Sequence, residues 1–94
     1  MAKAGSFSYK YADLADVWDM IRKPLSENGL SVTQTYQEND NHILMVTMLM
    51  HSSGQWIRST LKIITQGLKI QQIGSEMTYN RRYALSAILG IATD

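Results

Sequence analysis

HILMVTMLMH, residues 42–51, is apolar at both parities: Ile43, Met45 and Leu49 fall on one side of an extended chain, and Leu44, Val46, Met48 and Met50 on the other. A strand with one solvated face alternates apolar with polar, so a two-sided run of this length predicts a central strand covered on both faces. The flanking stretches fit that placement. LSVTQTYQ (30–37) alternates and ends at ENDN (38–41), whose residue types favour a turn. SSGQ (52–55) turns the chain again into WIRSTLKII (56–64), where Ile57, Leu61 and Ile63 point one way and Trp56, Arg58, Thr60 and Lys62 the other. The centre of the chain therefore reads as a three-stranded antiparallel meander.

Helices bracket it. Asp13 offers an N-cap to LADVWDMIRKPLSEN, in which Leu14, Val17, Trp18, Ile21 and Leu25 recur at helical spacing, and Gly29 supplies a left-handed stop. Pro24 removes one backbone hydrogen bond, which predicts a kink near Met20–Pro24. Ahead of this helix, SFSYKY (6–11) alternates, with Phe7, Tyr9 and Tyr11 on one side, and predicts a short strand. A break at Gln66-Gly67 leads into a last helix over about Lys69 to Leu89. The expected fold is α+β in the order β-α-β-β-β-α, with helices packed on the sheet. One helix covers one face, so the two-sided strand needs a second cover, from the other helix or from a neighbouring subunit.

Ninety-four residues make one domain, and a chain of this size buries only roughly 60–65% of its unfolded surface. The absence of cysteine removes disulfides, thiolate metal sites and cysteine nucleophiles, leaving self-association as the expected source of added stability. A net charge of +1 does not by itself point to nucleic acid, so any such role must come from local clustering. MAKAGSF has no signal-peptide core and no apolar run reaches the length of a membrane span, which predicts a soluble intracellular protein. No metal site is expected. Asp13, Asp16 and Asp19 read as a solvated face favourable to the helix dipole, and His42 and His51 bracket a strand too long to let them share an ion. His51 is expected to hydrogen-bond the hairpin, and Trp18 to join the core.

The last helix carries the anomaly. At about 100° per residue from Ile70, the positions Ile73, Met77, Ala84, Leu85 and Ile88 fall within about 60° of one line, and Arg81 falls near 20°, inside that apolar stripe. Arg82 falls near 120°, on the border with Ser75 and Thr78. An unpaired buried charge costs several kcal/mol. Three readings are open: an ion pair from Arg81 to Glu38, Asp40 or a subunit partner; a packed stem with its head in water; or two guanidinium groups facing a groove and gripping phosphate, with Tyr79 and Tyr83 placed to stack on bases.

GSEMTYNRRYALSAILGIATD (74–94) resembles the C-terminal motif of the ERF (essential recombination function) superfamily, which runs roughly Gly-Ser-x-x-Thr-Tyr-x-Arg-Arg-Tyr-x-Leu-x-x-x-Leu-Gly-Ile. YKYADLADVWDMIRKPLSENGLSVTQ (9–34) and HSSGQWIRSTL (51–61) agree in the family's order. The resemblance implies a single-strand annealing protein of phages and prophages, with a core similar to the β-β-β-α core of the eukaryotic annealing protein of double-strand-break repair. It implies ATP-independent pairing of complementary strands by an oligomeric ring in the bacterial cytoplasm, with no cofactor and no catalytic residues. It further implies a basic groove holding single-stranded DNA, backbone inward.

The matching positions are Gly74, Ser75, Thr78, Tyr79, Arg81, Arg82 and Tyr83, with His51, Ser53, Gly54 and Trp56 from the hairpin. Glu76 and Asn80 depart from the small residues usual there. Glu76 falls near 240° on the wheel, away from both arginines. Members usually continue into a polar, acidic tail, so residues 1–94 are expected to be a single annealing core without that tail, through which a host single-strand-binding protein would be met.

Residues and resemblance together nominate Arg81, Arg82, Tyr79, Tyr83 and Thr78 as DNA contacts. The outward row Trp56, Arg58 and Lys62 is a second candidate surface, and Lys69 would extend the groove. Trp56 also fits a core position or a subunit contact. The competing expectation is an oligomeric protein-interaction module whose arginines form structural ion pairs and touch no DNA.

Overall fold

Asp13 caps the first helix through a reciprocal box: its Oδ1 accepts from the Asp16 N–H at 2.8 Å, while its own N–H donates to Asp16 Oδ2 at 3.3 Å. From there the chain forms α1 (Leu14–Glu27), β1 (Leu30–Glu38), β2 (His42–His51), β3 (Trp56–Ile64) and α2 (Ile70–Leu89). This computed structural model describes residues 13–91. The α+β reading holds over them in the order α-β-β-β-α, and the strand expected at 6–11 lies outside the described residues.

Helix α1 runs through Pro24, which stands in its last turn. Gly29 then reverses the chain at φ 68°. A side chain there would be doubly penalised, because a Cβ would also meet Ser52 Oγ at 2.7 Å. The close approach has a purpose in the fold, since Ser52 N–H donates to Gly29 C=O at 2.9 Å and ties the β2–β3 hairpin to the α1–β1 corner. His51 Nδ1 accepts from the Ser53 N–H at 3.0 Å and lies 2.9 Å from its hydroxyl, the hairpin role expected of it.

The sheet is an antiparallel meander in the order β1-β2-β3, with Gln34 opposite Thr47, Val32 opposite Leu49, Ile43 opposite Ile63 and Met48 opposite Arg58. Both helices pack on the face carrying Val32, Ile43, Met45 and Ile63. The second cover that β2 requires is therefore not the other helix of the same chain. Leu44, Val46, Met48 and Met50 form a half-buried apolar row on the opposite face, with no described helix over it.

Helix α2 changes partners along its length. Its first half sets Ile73 and Met77 against Ile43, Met45 and Ile63 of the sheet; its second half sets Leu85 and Leu89 against Val17 and Ile21 of α1. Two apolar expectations fail at the ends of this diagonal. Ile70 is 87% exposed, because the first turn of α2 has no core beneath it, and Ile57, at the start of β3, is 56% exposed beyond the helices' cover. At its other end α2 closes with a left-handed Gly90 (φ 71°), the Gly90 N–H reaching Ala87 C=O and the Ile91 N–H reaching Ser86 C=O at 2.8 Å. This is a Schellman arrangement, and Ile91 adds the apolar contact that usually accompanies one by packing on the α1–α2 cluster.

Candidate nucleic-acid interface

Adjacent helical residues point about 100° apart, and Arg81 and Arg82 meet different surroundings: Arg81 contacts Gln34 over the sheet, and Arg82 lines a groove beside α1. Arg81 lies over the junction between the two apolar clusters, where the core is polar. Thr47 there is 0% exposed and accepts from Gln34 Nε2 at 3.1 Å. The same Nε2 donates to the main-chain carbonyl of Arg81 at 2.9 Å, and Gln34 Oε1 lies 3.4 Å from Arg81 Nε. The carbonyl can only accept, which fixes the amide with its NH2 towards α2 and leaves Oε1 for the guanidinium. Among the described residues no carboxylate pairs with Arg81. Its place in an apolar stripe is explained by this polar seam rather than by Glu38 or Asp40.

Arg82 faces elsewhere. With Gln71, Gly74, Ser75, Thr78 and Tyr79 it lines an open groove of about 760 Å³, closed on its far side by Asp13 and Leu14 at the start of α1. From Gln71 to Arg82 the wall runs about 16 Å along the helix axis. The Arg82 guanidinium carbon sits 5.6 Å from the Tyr79 ring centroid, within cation–π range, and Tyr83 stacks on Tyr79 with centroids 6.2 Å apart and planes at 11°. Both tyrosines remain more than half exposed. Among the described residues Asp13 is the one acidic residue in this lining, and its Oδ1 is engaged by the Asp16 N–H. Glu76 is exposed and lines an adjoining depression with Ile64, Leu68 and Gln72, which shares Gln71 and Ser75 with the groove.

Gly74 sits inside α2 at the groove, and a Cβ built on it would meet nothing within 4 Å. No contact within the described chain accounts for a glycine there. Gly74→Ala is expected to stabilise the helix by about 0.5–1 kcal/mol, seen as a higher thermal midpoint, while weakening any ligand whose backbone approaches that floor.

The remaining nominated residues lie apart. Trp56, Arg58 and Lys62 pair with Met50, Met48 and Leu44, on the sheet face away from both helices. Arg58 stacks on Trp56, its guanidinium carbon 5.6 Å from the ring. Trp56 is exposed, which removes the core reading for it. Lys69 is exposed at the N-cap of α2, its N–H donating to Gln72 Oε1, and does not line the groove. One chain thus carries two separated surfaces rather than one continuous trough.

The ERF superfamily model matches residues 2–94. The chain belongs to the ERF superfamily. No curated protein and no solved structure matches it. Membership suggests a role in phage recombination and annealing, and the family's Gly-Ser, Thr-Tyr and Arg-Arg-Tyr positions can be placed on the ERF fold. Gly74, Ser75, Thr78, Tyr79 and Arg82 share the groove, Tyr83 backs it, and Arg81 turns inward to the seam. The sequence reading passed over Gln34, Thr47 and Gln71. The first two carried a usable signal: each is a polar residue between two apolar or aromatic ones on the helix-covered face, Gln34 between Val32 and Tyr36 and Thr47 between Met45 and Leu49. Among the described residues of this ERF chain no helix is long and apolar enough to cross a membrane, and no three His, Asp or Glu residues cluster as metal ligands would.

Proposed function

We propose that the chain binds single-stranded DNA by its backbone along the α2 groove and, as a ring of copies in the cytoplasm of a bacterial host, anneals complementary strands without ATP. The groove carries this reading: a permanently charged Arg82 braced on an exposed tyrosine pair, beside the hydroxyls of Ser75 and Thr78 and the bare Cα of Gly74. Annealing makes and breaks no covalent bond. It needs cations that offset repulsion between two phosphate backbones while leaving base edges free to pair. An open groove with a bidentate cation suits that task better than a deep base pocket.

Self-association is assigned to the sheet face that the helices leave uncovered. Its occupant is a second copy: Arg58 and Lys62 flank the apolar row of Leu44, Val46, Met48 and Met50, and α1 presents Asp16 and Asp19, exposed and outside the groove lining, as a complementary surface on a neighbour. Val46→Asp, which alters a half-buried position on that face, is expected to shift the particle mass in light scattering to smaller species while leaving the circular dichroism spectrum unchanged.

Anisotropy of a labelled oligonucleotide, titrated across a salt series beside a mass measurement, tests the function. The reading expects binding that weakens steeply as salt rises. The rival interaction module expects no DNA binding at any salt, and an oligomer that falls apart when Arg82 is replaced.

A further inference from the structure

The arginine pair divides its labour, and the seam behind it sets the division. Gln34 makes two short bonds, 3.1 Å to the buried Thr47 hydroxyl and 2.9 Å to the Arg81 carbonyl, and so links β1 and β2 to one turn of α2. That turn is where α2 passes from its sheet contacts at Met77 to its α1 contacts at Leu85. Apolar packing alone leaves a helix free to rotate by some degrees over a junction between two clusters. A directional bond to its main chain does not. Rotation of α2 at this turn moves Tyr79 and Arg82 relative to the Asp13–Leu14 wall of the groove.

We propose that Gln34, supported by Thr47, is a positioning residue that locks α2 to the sheet at Arg81, so that of the two adjacent arginines Arg82 contacts the nucleic-acid backbone and Arg81 serves the fold. The assignment rests on the groove reading above. Neither Gln34 nor Thr47 lines the groove, so an effect of either on DNA must pass through the helix.

The anchor is tested by thermal melts. Gln34→Ala strands the buried Thr47 hydroxyl, and a loss of roughly 4–8 °C in midpoint is expected, the scale of one hydrogen bond in a domain of this size. Adding Thr47→Val removes the stranded hydroxyl, so the double variant melts at or above the Gln34→Ala midpoint. Thr47→Ser keeps the bond and preserves wild-type DNA affinity, which Thr47→Val does not. Additive midpoint losses, or DNA affinity untouched by Gln34→Ala well below its midpoint, overturn the anchor.

The division of labour is tested by the salt dependence of oligonucleotide binding. Arg82→Gln lowers the slope of log K against log salt by about 0.7, the value for one phosphate contact on a single strand, and Arg81→Gln leaves the slope at its wild-type value. Equal loss of slope in both variants overturns the division. If the unaltered protein binds no single-stranded DNA, the proposed function falls and the Arg82 assignment with it; the anchor is then decided by the melts.

Discussion

Arg82→Ala is expected to weaken single-stranded DNA binding by roughly ten- to a hundredfold at moderate salt and to abolish annealing, with the fold retained. The magnitude follows from losing a charge-assisted hydrogen bond, about 1.5–3 kcal/mol, at about 1.4 kcal/mol per tenfold in affinity. Arg82→Lys is expected to recover only part of the loss, because an ammonium keeps the charge but gives up both the planar fork and the stack on Tyr79. Anisotropy and a strand-annealing assay report the two effects, and circular dichroism confirms the fold. Normal annealing by a folded Arg82→Ala protein would remove the groove from the account.

Leu85→Ala is expected to be the most damaging single truncation. Leu85 is 0% exposed and joins α2 to Val17 and Ile21 of α1 in the cluster that also gathers Val32 from β1. Truncating a buried leucine costs about 2–5 kcal/mol in lost transfer energy and residual cavity. A domain of this length has only about 5–14 kcal/mol in total. The melting midpoint should fall by roughly 10–30 °C. A drop of only a few degrees would mean that the α1–α2 contact contributes little and that the sheet cluster around Met45 carries the fold alone.

Periodicity made much of the architecture legible. The three strands follow from alternation and turn residues, α1 from its caps and spacing, and α2 from its apolar stripe after the Gln66-Gly67 break, because those signals are local. Face assignment was harder. The two-sided run at 42–51 demanded two covers but did not say whether the second came from the other helix, since that depends on how α1 and α2 lie over the sheet. Ile70 and Ile57 fit their stripes and are exposed all the same, because a wheel has no information on where the neighbouring layer ends.

At the site, the arginine pair was visible as an anomaly, with Arg81 inside the apolar stripe and Arg82 on its border, but both were open to a shared groove. What Arg81 faces was not visible, because Gln34 and Thr47 are distant in sequence and meet it only through strand register. Trp56, Arg58 and Lys62 read as a second candidate surface, whose position relative to the arginines was not visible. Both helices pack on the other face of the sheet, which leaves this row on the side away from α2.

Photo-crosslinking of a halogenated-pyrimidine single strand to the intact protein, with the attached peptides mapped by mass spectrometry, tests the central claim most directly. Attachment at Tyr79 and Tyr83 on α2, lost on raising the salt, is the predicted result. Attachment confined to Trp56 on the far face of the sheet would contradict it.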